Sequence, residues 1–264
     1  MSLPGLDIEF VRSQFQAFSE PSLEGWAFFE NAGGSYACRQ TIDRLHTFYT
    51  KTKVQPYAPY PASAEGGRLM DDATVRLAGL MNVGNDEVHI GPSTTQNTYV
   101  LAHAFRSIWS DGDEIVVTNQ DHEANTGFWR KLADTGITVN EWKVDPETGM
   151  LDPAALDGLL TDKTKLVAFP HCSNIIGHVN PVASICSTLR EQNIVSVVDG
   201  VSAAPHGIPD VHALGADVYL FSAYKTWGPH QGVMTVRRAV NDSLPNQGHF
   251  FNDVYPNKLS LIHI

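Results

Sequence analysis

The sequence is poor in cysteine, and the little it has follows no pattern. Cys38, Cys172 and Cys186 are odd in number, and no C-x-x-C pair occurs. This argues against both a disulfide framework and a structural zinc site. The H-E-x-x-H spacing is also absent, and adjacent residues such as Asp121 and His122 rarely point to a common centre. No metal site is expected, and cysteines without a pairing pattern are typical of a reducing compartment.

Clusters of basic residues and long apolar runs are lacking too. Lysine and arginine number 18 against 29 aspartate and glutamate residues, which gives a formal charge of -11 at pH 7 without an acidic block. Nucleic acid and anionic membranes are therefore not expected partners. No stretch reaches the roughly 18 consecutive apolar residues of a membrane span, and the N-terminus lacks the pattern of a signal peptide. The protein is expected in the cytoplasm.

What the sequence does contain is a regular alternation of short apolar runs and amphipathic segments. Its 264 residues, 42% hydrophobic and 18% charged, are ordinary for a globular protein with a large core. Strands are predicted at Glu87–Ile90, Glu114–Thr118, Ile137–Trp142, Leu166–Pro170, Ile194–Val198, Val218–Phe221 and Gly232–Val236. Helices are predicted at Thr95–Trp109, Glu123–Asp134, Asp152–Leu160, Pro181–Gln192 and Asp210–Leu214. This alternation predicts an α/β fold with a mainly parallel sheet covered by helices on both faces.

The segment before the first strand is less regular. Aromatic residues at positions 10, 15 and 18 predict a short amphipathic helix within residues 7–25, and Cys38–Lys51 also has helical character. Prolines and glycines in Gln55–Gly67 predict an irregular loop, which could order on a partner subunit. Helical spacing returns from Gly67 to Met81.

Two polar residues at strand ends indicate a specific chemistry. Lys225 lies just after the run Val218–Phe221, and Asp199 ends the run that begins at Ile194. A lysine at a sheet edge is usually a solvated charge. A lysine and a carboxylate at two strand ends, however, are the pair of side chains needed to bind pyridoxal phosphate (PLP). This cofactor needs a lysine that binds its aldehyde as a Schiff base and a carboxylate that keeps its pyridine nitrogen protonated.

These residues and their surroundings resemble a known family. From roughly Phe28 to Arg238 the chain is similar to the class V aminotransferase and cysteine desulfurase superfamily of fold-type I PLP-dependent enzymes. The resemblance implies the large domain of a fold-type I transferase, with a seven-stranded mainly parallel sheet. It also implies that Lys225 carries the cofactor and is catalytic, that Asp199 pairs with the pyridine nitrogen, and that the element Asn31–Gly34 lies at the mouth of the active site.

A phosphate site is expected where the first strand passes into a helix. Ser93, Thr94 and Thr95 occupy this junction. Free backbone N–H groups and the positive end of the helix dipole bind phosphate there, although the same residues are also typical of a plain helix cap. The resemblance implies that Thr94 and Thr95 bind the cofactor, with Thr95 as the side-chain donor. Gln96 replaces the usual glutamate of the family, which removes one charge.

Two further residues match the family's contacts to the cofactor ring. His122, after the second strand, corresponds to the histidine that stacks on the pyridine ring, where it orients the ring and can shuttle protons. Asn174 lies in an element from His171 to Gly177 that resembles the family's His-x-Ser-Asn-x-x-Gly pattern. Its amide is expected to bond the phenolic oxygen of the cofactor. Cys172 in the same element is more typical of a small buried residue than of a nucleophile.

The remaining cofactor contacts follow the family with departures. Ser202 stands where many relatives carry a glutamine that contacts the phenolic oxygen, so substrate specificity is expected to differ. Ser222 and Tyr224 fall at phosphate-ligand positions, with Tyr224 in place of a frequent histidine. His206 also matches a histidine of relatives, although a structural role at a helix end fits it equally well.

The resemblance implies an enzyme that acts on a small amino acid, most like a cysteine desulfurase. Transamination and epimerisation are alternatives, because Lys225 can move a proton without the help of a cysteine. A non-catalytic scaffold with the PLP fold is a third alternative. A homodimer is implied by the family alone. The expected organisation is an N-terminal segment (residues 1–30), a PLP-binding large domain (31–245) and the start of a C-terminal region (246–264).

The C-terminal end is expected to be a truncation. Relatives continue beyond the position of Ile264 into a small domain that carries the substrate-carboxylate arginine and, in desulfurases, the persulfide-forming cysteine. The end from Leu259 to Ile264 is apolar and has no stop signal. The sequence therefore predicts a chain that holds the large-domain fold but does not complete desulfuration or transamination at the rate of full-length relatives.

Overall fold

The structure is a computed structural model that describes residues 5–250, 253 and 258–259. The described part of the chain divides into two compact units. The first comprises the residues up to Asp71 together with Ala223–His230, and the second comprises Asp72–Ser222 and the residues from Gln231 onward. Part of the expected C-terminal region, including residues 260–264, lies outside the described residues. The domain boundaries expected from the sequence stay predictions.

The first unit is mostly helical. It contains α1 (Ile8–Ser13), α2 (Arg39–Thr47) and the part of α3 (Pro61–Met81) that precedes Asp72. The side chain of Asp7 caps α1 by accepting the Phe10 N–H at 2.9 Å, as expected of an N-cap aspartate. A π-helical segment, Phe48–Thr52, follows α2.

The prediction of an irregular loop at residues 55–67 is wrong for its second part, because α3 begins at Pro61. Proline is compatible with the first turn of a helix, because the N–H it lacks would have no intrahelical acceptor. Gly67 lies inside the helix for a packing reason. A Cβ there would lie 2.5 Å from the Tyr57 ring, so glycine allows the close approach of that ring.

The second unit is built on a seven-stranded sheet in the order β1-β7-β6-β5-β4-β2-β3. The strands are β1 (Val88–Gly91), β2 (Glu114–Thr118), β3 (Thr138–Trp142), β4 (Thr164–Pro170), β5 (Val195–Asp199), β6 (Val218–Ser222) and β7 (Gly232–Val236). Only β7 runs antiparallel to its neighbours β1 and β6. The carboxyl ends of the other six strands therefore share one edge of the sheet, where open α/β sheets bind their ligands.

Helices and core side chains cover both faces of this sheet. The helices of the second unit, after the end of α3, are α4 (Thr94–Arg106), α5 (Glu123–Lys131), α6 (Pro153–Asp157), α7 (Val182–Glu191), α8 (Val211–Leu214) and α9 (Arg238–Ser243). Alternate residues of a strand enter different cores: Val167 packs in the cluster that includes Ile185 and Leu189 of α7, whereas Leu166 packs with Phe105 of α4 and Trp129 of α5. Burial on both faces explains the nearly continuous apolar strands. The predicted α/β fold with a mainly parallel sheet is confirmed.

Among the described residues, no helix is long and apolar enough to cross a membrane. The same residues contain no group of three or more histidine, cysteine, aspartate or glutamate side chains that could hold a metal ion.

Candidate active site

The junction between β1 and α4 has the features of an anion site. Ser93 caps α4, and its hydroxyl accepts the Gln96 N–H at 3.1 Å. Within the described residues, the backbone N–H groups of Thr94 and Thr95 have no acceptor, as is usual in a first helical turn. The Thr95 side chain is exposed, whereas Thr94 is buried. This leaves two backbone donors and one exposed hydroxyl at the positive end of a 13-residue helix.

Two hydroxyl groups and a glycine fix this junction to the sheet. The hydroxyls of Thr94 and Ser222 are hydrogen bonded at 2.7 Å, and both side chains are buried. Ser222 pairs with Gly232 across β6 and β7. A Cβ on Gly232 would lie 2.3 Å from the backbone carbon of Ser93, so only glycine lets β7 pass beneath the helix start. The sequence predicted Ser222 and Thr94 as cofactor ligands, and the structure brings these two together.

Asp199 lies at the end of β5 in a buried and negatively charged setting. It is 4% exposed, and its Oδ1 accepts the Val201 N–H at 2.7 Å. Asp121, after β2, accepts hydrogen bonds from the His122 N–H at 2.8 Å and from the Asn125 side chain at 2.6 Å. Burial, and then the negative charge of Asp199, raise the pKa of Asp121 well above its usual value. This place therefore favours a proton or another cation over a second negative charge.

Tyr219 and His171 complete this region, which we name the strand-end group (Asp121, His171, Asp199 and Tyr219). The Tyr219 hydroxyl is hydrogen bonded to His171 Nδ1 at 2.8 Å. Burial, followed by the charge of Asp199, raises the pKa of Tyr219, so the phenol stays protonated. Burial lowers the pKa of His171 and favours its neutral ring. A Cβ on Gly200 would lie 2.1 Å from the Tyr219 ring, which explains the glycine after Asp199.

His122 begins α5 as its N-cap. Its Nδ1 accepts the Ala124 N–H at 3.0 Å, which requires a lone pair on Nδ1 and leaves the proton of the neutral ring on Nε2. The side chain is exposed. The ring is thus oriented by its own helix, and stacking on a cofactor stays a prediction.

Asn174 and Ser202 both lie in turns that follow strands. Asn174 is half-buried in the segment after β4, which is closed by a bridge between Cys172 and Val179. Ser202 is half-buried in the turn after Asp199. Their contacts to a cofactor stay predictions. His206, for which two roles were open, is exposed at the end of a short 3-10 helix.

The three cysteines are free thiols. Burial raises the pKa of Cys172, and raises that of Cys186 to about 11. Because the thiolate is the nucleophile, neither environment activates a thiol. The interpretation of Cys172 as a packing residue is consistent with its raised pKa.

Lys225 lies in the first unit, in a stretch that we name the lysine segment (Ala223–His230). It is half-buried at the end of the 3-10 helix Ala223–Lys225. The Tyr224 ring stacks on His230 with centroids 4.6 Å apart and a 4° angle between the planes. Trp227 has φ of +63°, a left-handed conformation that costs a non-glycine residue roughly 1–2 kcal/mol. A phosphate-binding role for Tyr224 stays a prediction.

The sequence analysis missed several residues that shape the strand-end group and the lysine segment. It considered Asp121 only for metal binding and gave no role to Tyr219 or Ser35. Asp121 had a usable signal, since it directly follows a strand and precedes His122. For Tyr219 the only signal in the sequence was the glycine after Asp199. Ser35 had no signal, because its hydroxyl bonds the Tyr224 carbonyl and the Trp227 N–H, which lie far along the chain.

The residues present in the second unit fit PLP by their chemistry. The α4 N-terminus supplies donors for a phosphate group. The carboxylate of Asp199, beside a second carboxyl that resists ionisation, suits a protonated pyridine nitrogen.

Comparison with known proteins finds similar sequences among aminotransferase-like proteins and cysteine desulfurases. The chain is 39% identical over 259 residues to an aminotransferase-like protein, FGM3, of Gibberella zeae, covering 96% of this chain and 63% of that protein. It is 32% identical over 251 residues to a cysteine desulfurase of Serratia proteamaculans, covering 93% of this chain and 61% of the relative. The chain therefore spans about three fifths of the length of these relatives.

A solved structure shares the fold. The apo structure of a cysteine desulfurase from Thermococcus onnurineus NA1 matches with a TM-score of 0.83 at 23% identity, over 94% of this chain and 62% of that one. The model of the family described as Aminotransferase class-V matches residues 27–260, most of the sequence. This chain belongs to the class V aminotransferase family, which includes the cysteine desulfurases and whose members use pyridoxal phosphate.

Proposed function

We propose that this chain binds PLP through Lys225 and acts on a small amino acid, with chemistry most like that of a cysteine desulfurase. The observation that carries the proposal is the placement of the buried Asp199 carboxylate at the end of β5 and of the α4 N-terminus, with its backbone donors, at the end of β1, on one edge of the same sheet. When bound, the cofactor supplies an aldehyde that captures amines and a ring that accepts electrons.

The chain's own residues divide the remaining work. Thr95 and the first N–H groups of α4 bind the phosphate, with Thr94 and Ser222 fixing that loop. Asp199 holds the proton on the ring nitrogen. The Nζ of Lys225 would hold the aldehyde of the cofactor and would serve as the base that accepts the proton from the substrate Cα.

The other proposed contacts orient the ring. The His122 ring, which the Ala124 N–H orients through Nδ1, would stack on the cofactor ring. Asn174 and Ser202 bond its phenolic oxygen, and Tyr224 assists the phosphate. A homodimer in the cytoplasm belongs to the same proposal, supported by the family resemblance and by the free cysteines. Sedimentation of the purified protein checks the dimer.

A second candidate is an aminotransferase-type reaction. It is favoured by the 39% identity to the aminotransferase-like protein of Gibberella zeae over 96% of this chain. Such a reaction needs the proton transfer by Lys225 and no thiolate.

The experiment is a titration of the purified protein with PLP, followed by two assays. A visible absorbance band is expected from the lysine-bound cofactor. Sulfide release from cysteine then supports the desulfurase reaction, whereas amino-group transfer to a 2-oxo acid supports the second candidate. Asp199→Asn keeps the shape but loses the charge, so cofactor binding should persist while turnover falls about 100-fold. Failure of the wild-type protein to bind PLP would refute the proposal.

A further inference from the structure

The lysine segment is held by a second stretch of the first unit. The Ser35 N–H donates to the Tyr224 carbonyl at 3.0 Å. The Trp227 carbonyl accepts from the Cys38 N–H at 3.2 Å and from the Thr41 hydroxyl at 3.1 Å. Every one of these bonds ends on a residue that flanks Lys225 and Thr226.

The hydroxyl of Ser35 makes the most specific contact. It donates to the Tyr224 carbonyl at 2.9 Å and accepts the Trp227 N–H at 2.9 Å. One oxygen atom therefore joins the backbone directly before Lys225 to the backbone shortly after it. The two bonds use both the donor and an acceptor site of a serine hydroxyl, so an alanine would lose both while keeping the backbone bond of residue 35.

The conformation that these bonds hold is an unfavourable one. Trp227 is left-handed, with φ of +63°, and such residues persist only where surrounding contacts fix them. The segment's own bonds, from Thr226 and Gly228 to the Ala223 carbonyl, close the turn on one side. Ser35 is the side chain that ties the two ends of the lysine-bearing turn together.

We infer that Ser35 is a positioning residue for Lys225, setting where its amine lies without touching the cofactor. The inference rests on the proposed function, in which Lys225 binds PLP. A lysine whose backbone is fixed starts its flexible side chain from one place and in one direction, which narrows the region that the amine can reach. Loss of the Ser35 bonds lets the turn relax and widens that region. Misplacement of a reacting group by about 1 Å can reduce a rate by as much as about 100-fold.

The test measures covalent attachment of PLP, independently of any turnover. Apoprotein is mixed with PLP, the adduct is trapped with borohydride over time, and the pH midpoint of the visible band is recorded. Ser35→Ala should slow attachment about tenfold and shift the midpoint. Ser35→Thr, which keeps a hydroxyl, should restore both to near the wild-type values.

Thr41→Val is the matched control, because it removes one hydroxyl bond to Trp227 and leaves the Ser35 bridge intact. Its attachment rate should stay within about twofold of the wild type, with the same far-ultraviolet circular dichroism. Equal losses in Ser35→Ala and Thr41→Val would overturn the inference in favour of a merely structural role. If Ser35→Ala does not fold, Ser35→Cys, with its weaker donor, takes its place with a smaller expected slowing.

The proposed function and the positioning role of Ser35 are refuted by different results. A wild-type protein that forms no trapped adduct overturns the proposed function and this inference with it. A wild-type protein that forms the adduct, with a Ser35→Ala variant of unchanged rate and unchanged pH midpoint, overturns the role of Ser35 alone.

Discussion

The strand-end group and the lysine segment are held in place by different means. Around Asp199 the backbone bonds continue the sheet: the His171 N–H donates to the Asp199 carbonyl, and the Gly200 N–H to the Leu220 carbonyl, each at 2.7 Å. The lysine segment has no strand of its own, and the Ser35 hydroxyl joins its two ends. Cys38 and Thr41 both donate to the Trp227 carbonyl, so that loss of the Thr41 bond leaves the Cys38 bond in place. Added bulk in the packed strand-end group should therefore destabilise the fold, whereas loss of a bond to the lysine segment should displace Lys225 while the fold stays intact.

The largest expected effect comes from overpacking the strand-end group. Gly200→Ala places a methyl group where the Tyr219 ring lies 2.1 Å away, and such insertions into a packed core typically cost about 1–3 kcal/mol. The melting temperature should fall by about 5 °C or more. Gly79→Ala is the control, since a Cβ there meets nothing within 4 Å and alanine favours a helix. Equal melting of the two variants would contradict this packing.

A smaller loss is expected at the start of α4. Thr94→Val leaves the buried Ser222 hydroxyl without its 2.7 Å partner and should lower the free energy of unfolding by about 1–2 kcal/mol. Thr95→Val should leave the stability unchanged, because the Thr95 side chain is exposed. Both variants should weaken PLP binding, as followed by equilibrium titration. Chemical denaturation that shows equal stability for the two would refute the assigned contact.

The pH dependence of stability distinguishes the strand-end carboxyls from a surface carboxylate. The folded pKa of Asp121 is raised above its usual value of 3.8. Its contribution to stability is therefore full below about pH 3.8 and is lost as the pH rises through the folded pKa. Asp121→Asn should gain stability relative to the wild-type apoprotein as the pH rises from 4 to 8, as followed by chemical denaturation at each pH.

Asp145 gives the opposite sign and serves as the control. It accepts the N–H groups of Glu147 and Thr148 and the Thr148 hydroxyl, and these bonds, from Thr148 first, lower its pKa. Its contribution is present above its usual pKa of 3.8 and is lost as the pH falls through the lower folded value. Asp145→Asn should thus lose stability relative to the wild type on going from acid to neutral pH. Parallel pH profiles for the two variants would contradict the raised pKa of Asp121.

The smallest effect is expected at Cys172. Burial raises the pKa of its thiol, so little thiolate is present at neutral pH. Cys172→Ser should leave PLP binding and any turnover within about twofold of the wild type. Complete loss of sulfide release in this variant would show that Cys172 is a nucleophile.

The sequence predicted the sheet well because strand ends leave a clear local signal. All seven predicted strands are present, and their ends differ from the predicted ends by at most two residues. Apolar runs mark strand ends because they stop where the chain leaves the core. The region before the first strand was harder. Gly67 suggested a loop, but the reason for the glycine is the Tyr57 ring, which no periodicity reveals.

The candidate site was predictable only where it follows strands. Asp199 and Lys225 could be proposed because each lies at or just after a predicted strand end. The interaction of Asp121 with Asp199 could not be predicted. It depends on the order of β2, β4 and β5 in the sheet, and one sequence alone does not reveal strand order. The Ser35 bridge was hidden for a similar reason, since its two partners are distant in sequence.

Mapping the borohydride-reduced adduct tests the central claim most directly. The protein is incubated with PLP, reduced, digested and analysed by mass spectrometry, with Lys225→Ala as the matched variant. We expect the cofactor on the peptide that contains Lys225, and no adduct in Lys225→Ala, whose far-ultraviolet circular dichroism should match that of the wild type. An adduct on another lysine that persists in Lys225→Ala would contradict the assignment of Lys225 as the residue that binds PLP.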